Sequence, residues 1–491
     1  MNPPTAIQHI DRYAANPLIT GLPPEEISEE ALKELLSVHI EVPTDKTRSL
    51  PARTRLFMCE DLRRLQIPLN RDFELEFEIA AAIREGYVDR MPSPRYWQNH
   101  NHEVQAILAN ARNDGRTLTN SRCLANTGVS GAGKTRICEM ILKMYPQVIT
   151  HDTVENPLLP LKQVVWIKID FPSNRSPRAL CKRFFKEMGV AVGEPYEQQF
   201  GCGNVDEMLS DMARLAREHF LGLLVIDEIQ HAGGQSGTAS PSLMRFIITM
   251  SNELKMPIMF IGTTKALTEL RQRLATIRRL IGLTYDRFLE NDPNWDHFVS
   301  ELWKYQFTRT KTKLSDDLRK TFYELTQGIL AFAVALFVLA QRREITRGIS
   351  EEGDERLNVE SFRSVYEDYF KAVDPVIQAL RSGDDLAIEQ FEDLPSQFKL
   401  HEILAQQTQT FLVREVKRID RAFKRGGKTI RNQIPEIFRP YSAGLEERVK
   451  RRARDKEEGL AAEAKSAAKR GEDPVNVLEQ KGLIKKVAGQ P

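Results

Sequence analysis

A glycine-rich stretch, GVSGAGKT, occupies residues 128–135 and matches the pattern G-x-x-x-x-G-K-T. Glycines at these positions let successive backbone N–H groups turn inward around phosphate oxygens. In this pattern Lys134 reaches the β- and γ-phosphates, and the Thr135 hydroxyl binds Mg²⁺. The predicted nucleotide-binding residues are Gly128, Val129, Ser130, Gly131, Ala132, Gly133, Lys134, Thr135 and Arg136.

Two carboxylates follow an apolar run 93 residues beyond Lys134. The run LLVIDE is predicted to be a strand that ends in Asp227 and Glu228. Asp227 is expected to hold the coordination shell of Mg²⁺, and Glu228 to polarise the attacking water. An acidic pair that only ends a strand is the alternative, but the glycine loop favours hydrolysis. The sequence has no N-K-x-D guanine-reading motif, so the expected cofactors are ATP and Mg²⁺.

A further apolar run, FIGTT, ends in Thr263 and Thr264. In a parallel sheet the residues at the carboxyl ends of the strands face the ligand crevice. A hydroxyl at this place can sense the γ-phosphate, so both threonines are candidate catalytic residues. A threonine that only forms a turn is the alternative.

The elements around these residues alternate between short apolar runs and amphipathic helices. Strands are predicted before the glycine loop and at 163–171, 222–228 and 257–264. Nearly continuous apolar strands separated by helices indicate an α/β fold whose parallel sheet is covered on both faces. From 286 to about 385 the pattern is purely helical, with a break expected at Gly328.

Four segments are predicted along the 491 residues. They are a helical N-terminal extension for partner contacts (1–95), the ATP-binding α/β domain (96–285), a helical lid (286–395) and a basic C-terminal tail (396–491). The tail has nine basic and three acidic residues between Arg414 and Arg439, with apolar positions such as Leu483 beyond them. Such a segment often orders on a partner.

Composition narrows the class of protein. The charges of the 70 basic and 68 acidic residues nearly cancel, so any surface that binds nucleic acid must be a local cluster of basic residues. None of the five cysteines stands in a C-x-x-C pair, and His100 and His102 lack further ligands at metal-binding spacing. The longest apolar run, 328–340, is shorter than the roughly 20 residues of a membrane span. We expect a soluble, cytoplasmic protein.

Four stretches apart from the glycine loop and the run LLVIDE resemble the TnsC/TniB family of transposition regulators. They are YAANPLITGLPP (13–24), EFEIAAAIREGYVDRMP (76–92), GTTKALTEL (262–270) and DPVIQALRSGDDLAIEQFEDLP (374–395). The resemblance implies an AAA+ P-loop ATPase that assembles on double-stranded DNA as a ring or helical filament. It also implies a bacterial, nucleoid-associated protein with two partners, a TniQ/TnsD-like target selector and a TnsA/TnsB-like transposase.

The same resemblance assigns further residues. RQRLATIRRLIGL (271–283) matches the segment with the arginine that reaches a neighbour's γ-phosphate, so Arg278 or Arg279 is expected there, with Arg271 and Arg273 as alternatives. DNA contacts are expected from a loop that a ring would repeat once per subunit: Asn174, Arg175, Ser176, Arg178 and Lys182. These side chains would bind phosphates without reading sequence. An ordinary solvated helix start is the alternative.

One departure from the AAA+ pattern concerns the lid. Many AAA+ lids carry a sensor arginine after the glycine that opens the last helix, whereas only apolar residues follow Gly328 in TQGILAFAVALF. Slow, regulatory hydrolysis is the expected consequence. Two other classes remain as alternatives: an origin-type or helicase-loading AAA+ ATPase, and a STAND-type signalling NTPase.

Overall fold

The computed structural model describes residues 11–383, apart from 15, 89, 93–122, 152–160, 233–240, 264–279, 351–353 and 372. Several predicted residues therefore lie outside the described part of the chain. They are His100, His102, Thr264, Arg271, Arg273, Arg278, Arg279 and the whole tail 396–491.

Seven strands are described: β1 (Cys123–Thr127), β2 (Val148–His151), β3 (Leu161–Val164), β4 (Trp166–Asp170), β5 (Leu223–Asp227), β6 (Ile258–Gly262) and β7 (Leu280–Thr284). Five of them form one sheet in the order β4-β5-β6-β1-β7, and every neighbouring pair is parallel. The predicted parallel sheet is confirmed. Because the strands are parallel, their carboxyl ends meet at one edge.

The helices before the sheet are α1 (Asp11–Ala14), α2 (Pro17–Thr20), α3 (Glu29–Leu35), α4 (Asp45–Arg48), α5 (Ala52–Asp61) and α6 (Asn70–Val88), with a 3-10 turn at Leu62–Arg64. Those between the strands are α7 (Lys134–Lys143), α8 (Pro177–Val192), α9 (Tyr196–Phe200), α10 (Val205–Glu218) and α11 (Pro241–Leu254), with a 3-10 turn at Ile229–Ala232. After β7 come α12 (Pro293–Leu302), α13 (Asp316–Thr326), α14 (Leu330–Ser350), α15 (Val359–Tyr369) and α16 (Asp374–Ser382).

Helices cover both faces of the sheet. One face carries Ala125, Ile226 and Phe260, which are buried in one cluster with the apolar side chains of α8, α10 and α11. Successive strand residues point to opposite faces, so Asn126, Asp227 and Met259 lie on the other one. There the Cys138 Sγ of α7 lies 4.0 Å from the Met259 Sδ. The helix that follows the glycine loop therefore packs on the face that carries Asp227.

The run predicted as a single strand over 163–171 is divided in the structure. Its first part, β3, pairs antiparallel with β2 in a separate two-stranded sheet. At Val165 the chain changes partner, because its N–H donates to the Gln147 carbonyl while its own carbonyl accepts from Leu223 N–H. Only β4 continues into the main sheet, where it pairs with β5.

The helical pattern predicted after 286 is confirmed for the described residues, including the break at Gly328. Its φ is +72°, and a Cβ there would lie 2.0 Å from the Phe288 carbonyl oxygen. A side chain at this position would therefore clash with the backbone that leads from the sheet into α12. Residues 330–340 of the apolar run 328–340 lie in α14, and most of them are buried. No helix of the described part of the chain is long and apolar enough to cross a membrane.

Two ion pairs join α5 to the region that follows the sheet, and one of them is fully buried. Arg55 of α5 is fully buried and binds Glu355 through both terminal nitrogens, at 2.5 and 3.0 Å. Its Nη1 also donates to the Phe307 carbonyl at 2.9 Å. Arg342 of α14 pairs with Glu60 of α5. The predicted four-segment division stays a prediction, and these contacts show that residues 52–61 pack against the region assigned to the lid.

Candidate nucleotide-binding site

The glycine loop connects β1 to α7 and depends on backbone conformations that favour glycine. Gly128, Gly131 and Gly133 have φ angles of +150°, +85° and +95°. A Cβ on Gly128 would lie 1.8 Å from the Tyr285 carbonyl oxygen, so a side chain is excluded there. Gly133 is the N-cap residue of α7 and provides no side-chain cap. The first N–H groups of α7 therefore remain available to an anion.

Lys134 folds back over this loop. Its Nζ donates to the Gly128 carbonyl at 2.7 Å and to the Val129 carbonyl at 2.8 Å. The ammonium thus lies beside the backbone that would surround the phosphates. Thr135 follows it at the start of α7 and is half-buried, while Ser130 is exposed at the tip of the loop.

Two further parts of the chain contact the same loop. The N–H of Ala331, at the start of α14, donates to the Gly131 carbonyl at 3.2 Å. Arg71 of α6 donates to the Ala132 carbonyl at 3.1 Å, and its guanidinium lies 4.5 Å from the Tyr285 ring centroid and 4.0 Å from that of Phe288. Sequence reasoning missed Arg71, because a single arginine in a long amphipathic helix has no local signal of such a contact.

The guanidinium of Arg136 is directed away from the loop. It donates to the carbonyls of Arg63, at 2.8 Å, and Arg64. Arg136 is among the predicted nucleotide-binding residues. In this structure its side chain instead joins α7 to the 3-10 turn of the N-terminal helices, which leaves only its backbone N–H for a phosphate.

Asp227 lies at the end of β5 and is 2% exposed. Its Oδ1 accepts the N–H of Glu228 at 2.8 Å, and its Oδ2 lies 3.2 Å from the Lys168 Nζ without the alignment of a hydrogen bond. Burial alone would lower the pKa of Lys168, but Asp227, Glu139 and Asp170 outweigh it and raise that pKa. Lys168 therefore stays charged and balances Asp227 from the neighbouring strand.

Glu228 has a left-handed backbone conformation. Its φ is +57°, in the left-handed region that a residue with a side chain seldom adopts. The half-buried carboxylate accepts a hydrogen bond from Gln230 Nε2. Burial, and next the charge of Asp227, raise the pKa of Glu228 above its usual value. A more basic carboxylate at this position is suited to take a proton from water.

Three buried polar side chains lie at or just beyond the carboxyl ends of three neighbouring strands. Asp227 ends β5, Thr263 follows β6 and is 3% exposed, and Asn126 on β1 is fully buried. The Thr263 hydroxyl, the Asp227 Oδ2 and both amide atoms of Asn126 have no hydrogen-bond partner among the described residues. Polar atoms buried in this way normally have partners. These polar atoms are therefore available to bind a polar ligand.

These side chains fit a magnesium ion that is bound together with phosphates. Mg²⁺ takes oxygen ligands, keeps several waters and is held by one or two carboxylates plus phosphate oxygens. Asp227 and Thr135 provide the carboxylate and the hydroxyl on the face that α7 covers. In the described part of the chain no group of three or more His, Cys, Asp or Glu side chains could hold a metal by itself.

The residues predicted to touch DNA lie together where β4 leads into α8. Two of them have local structural partners: Asn174 Oδ1 accepts the Ser176 N–H at 3.2 Å, and Ser176 Oγ accepts the Ala179 N–H at 3.3 Å as the N-cap of α8. Arg178 is exposed and donates to the Cys202 carbonyl at 3.1 Å. Arg175 is exposed, and Lys182 is half-buried. This loop lies at the same edge of the sheet as the glycine loop.

Comparison with known proteins bears on the fold. Residues 117–270 match the family model described as an AAA domain. This match and the five-stranded parallel sheet identify the AAA+ P-loop fold, as the sequence predicted. No curated protein matches the chain significantly.

Solved structures that resemble the chain include three origin-recognition proteins. The Aeropyrum pernix ORC1 protein in complex with DNA is 17% identical over 68% of this chain and 84% of its own, with a TM-score of 0.35. The Aeropyrum pernix ORC2 protein (ADPNP-ADP complexes) is 13% identical over 56% and 69%, with a TM-score of 0.32. Drosophila ORC bound to DNA is 13% identical over 67% and 83%, with a TM-score of 0.31. Identities and TM-scores this low add nothing to the fold assignment.

Proposed function

We propose that the chain is a Mg²⁺-dependent ATPase whose nucleotide state controls its assembly on DNA during transposition. The observation that supports the ATPase activity is that the glycine loop and the acidic pair Asp227–Glu228 lie at the same edge of the sheet. Lys134 lies over the loop, while Asp227 and Glu228 end the strand two places away from β1. Both requirements for phosphoryl transfer to water, phosphate binding and water activation, have candidate residues here.

Each residue of the site has a separate task in this proposal. Asp227 and Thr135 would hold a Mg²⁺ ion, which would neutralise part of the phosphate charge. Lys134 exchanges its two carbonyl partners for the β- and γ-phosphates, and the N–H groups at the start of α7 bind phosphate oxygens. Glu228 accepts the proton of the attacking water, while Thr263 binds the γ-phosphate from the end of β6.

In an oligomer, an arginine of the neighbouring subunit supplies further positive charge at the γ-phosphate. Arg278 and Arg279 precede β7, in the segment that resembles the TnsC finger, and we assign the contact with the neighbouring subunit's γ-phosphate to one of them. A ring or helical filament of about six or seven copies would place every site at an interface of this kind. The apolar start of α14 provides no sensor arginine, which agrees with slow, regulatory turnover.

The role in transposition is supported by the stretches that resemble TnsC/TniB, in particular residues 76–92 within and beyond α6 and 374–395 from α16 onward. In this role the assembly binds duplex DNA without sequence preference and links a TniQ/TnsD-like target selector to a TnsA/TnsB-like transposase. We assign the transposase contact to the tail 396–491, whose basic cluster could also touch DNA. The N-terminal helices are the alternative contact.

DNA binding provides the test of this function. The Arg175→Gln, Arg178→Gln double variant should weaken binding about equally on unrelated duplexes, because both arginines are exposed at the loop and would contact phosphates. Each lost phosphate contact should lower the slope of log K against log salt by about 0.9. Fluorescence anisotropy over a salt series, with ATP present, measures both quantities.

Lys186→Gln is the matched control for this experiment, because Lys186 is exposed on the same helix but about two turns beyond the loop. It should leave affinity and salt slope unchanged. Wild-type binding that requires no nucleotide, or that is confined to one sequence, would contradict the proposed function. An effect of Lys186→Gln equal to that of the double variant would contradict the assignment of the loop.

A further inference from the structure

Asn126 is a buried amide without partners. Its side chain is 0% exposed, and neither its oxygen nor its nitrogen forms a hydrogen bond within the described part of the chain. Burial of an unsatisfied amide destabilises a protein, because the hydrogen bonds that it makes to water in the unfolded chain are not replaced in the folded one. A leucine of similar size would avoid this cost.

The other buried amides behave differently. Among the described residues the remaining five are Asn16, Gln163, Gln306, Gln327 and Gln341. Each of them uses both its oxygen and its nitrogen in hydrogen bonds. Gln341, for example, accepts the Phe307 N–H at 2.7 Å and donates to the Tyr305 carbonyl at 3.1 Å. The lack of partners at Asn126 is therefore specific to its position.

That position is within the candidate nucleotide site. Asn126 lies two residues before Gly128, opposite Ile261 on β6 and Leu283 on β7. Thr263 is two residues beyond Ile261, so its side chain lies on the same face of the sheet. Asp227 is one strand further on the same face, and neighbouring strands are about 4.8 Å apart. All three residues contribute buried polar atoms that have no hydrogen-bond partner.

We propose that Asn126 is a positioning residue of the nucleotide site. Its amide binds the water shell of magnesium-bound ATP, on the side that Asp227 and Thr263 also face. The amide provides both a donor and an acceptor, so it can orient a water that the Thr263 hydroxyl also holds. This inference rests on the proposed ATPase function and adds a residue that the P-loop pattern does not contain.

Thermal unfolding of the full chain separates this role from a structural one. Asn126→Leu should leave the unfolding midpoint without nucleotide unchanged or higher, because it removes an unsatisfied amide. The same variant should bind Mg²⁺-ATP about tenfold more weakly, which corresponds to about 1.4 kcal/mol. Its nucleotide-induced rise in midpoint should shrink accordingly. With ATP in EDTA, wild type and variant should show the same rise, since the contact is to the hydrated ion.

Two further variants complete the test. Gln341→Leu replaces a satisfied buried amide, so it should lower the midpoint without nucleotide and leave the Mg²⁺-dependent rise intact. Threonine is favoured in strands and has a hydroxyl that can bind water, so Asn126→Thr should retain more of the Mg²⁺-dependent rise than Asn126→Leu. If Asn126→Leu does not fold, Asn126→Ala replaces it in the comparison.

An Mg²⁺-dependent rise equal to wild type in Asn126→Leu or Asn126→Ala would overturn the inference and leave the ATPase proposal standing. So would a loss of affinity of the same size in EDTA, because the contact would then be with something other than the hydrated ion. If wild type itself shows no rise with Mg²⁺-ATP, the proposed function fails and the inference fails with it.

Discussion

Lys134→Ala is expected to lose ATP binding by at least about 100-fold. The side chain now binds the carbonyls of Gly128 and Val129 and would move to the β- and γ-phosphates. Two charge-assisted hydrogen bonds at roughly 1.5–3 kcal/mol each account for a loss of this size or larger. Isothermal titration calorimetry with Mg²⁺-ATP measures it directly.

The matched control is Lys143→Ala, at the exposed C-terminal end of the same helix, α7. It removes an equal charge about two turns from the phosphates and should leave the affinity unchanged. Circular dichroism of Lys134→Ala should show the helical content of the wild type. Binding by this variant within about twofold of wild type would contradict the assignment of the loop.

Glu228→Gln is expected to bind ATP with nearly wild-type affinity and to hydrolyse it about 10²- to 10⁴-fold more slowly, the range that one general base contributes. The amide keeps the size of the side chain but cannot accept the proton of the attacking water. Single-turnover hydrolysis measures the chemical step apart from binding. The variant should also remain longer in the ATP-bound assembly.

Glu218→Gln provides the control, because Glu218 ends α10 in a surface pair with Arg214 at 3.0 Å. It should hydrolyse ATP at the wild-type rate. A Glu228→Gln protein that turns over as fast as wild type would show that another group activates the water. A variant that instead loses ATP binding would show that the strained turn at Glu228 supports the binding site.

The elements with strong local signals could be predicted from the sequence. In α8, for example, Ser176 is the N-cap residue and Pro177 is the first helical residue. An N-cap side chain, a proline at the first position and apolar spacing act within one or two turns of a helix. Strand β5 was predicted from its apolar run, and all five of its residues are buried in the structure.

Features that depend on distant partners were missed. The exchange of partners at Val165 and the pairing of β7 with β1 follow from hydrogen bonds between segments far apart in sequence. Sequence reasoning treated 271–283 only as an arginine-bearing segment, although its last residues belong to β7.

The site was predictable to a similar extent. The glycine loop and the pair Asp227–Glu228 follow from a pattern, whereas Arg71 and Asn126 do not. Arg71 reaches the loop from a helix 61 residues earlier in the chain. Asn126 differs from an ordinary buried strand residue only because its amide lacks partners. The side-chain direction of Arg136 likewise depends on where the N-terminal helices pack.

Electron microscopy of the full chain with duplex DNA and a non-hydrolysable ATP analogue tests the central claim, nucleotide-controlled assembly on DNA, most directly. The account predicts regular rings or helical filaments on DNA of any sequence when Mg²⁺ and the analogue are present. It predicts none without nucleotide, and none for Lys134→Ala under either condition. DNA without regular assemblies in the presence of the analogue, or the same assemblies in its absence, would contradict the account.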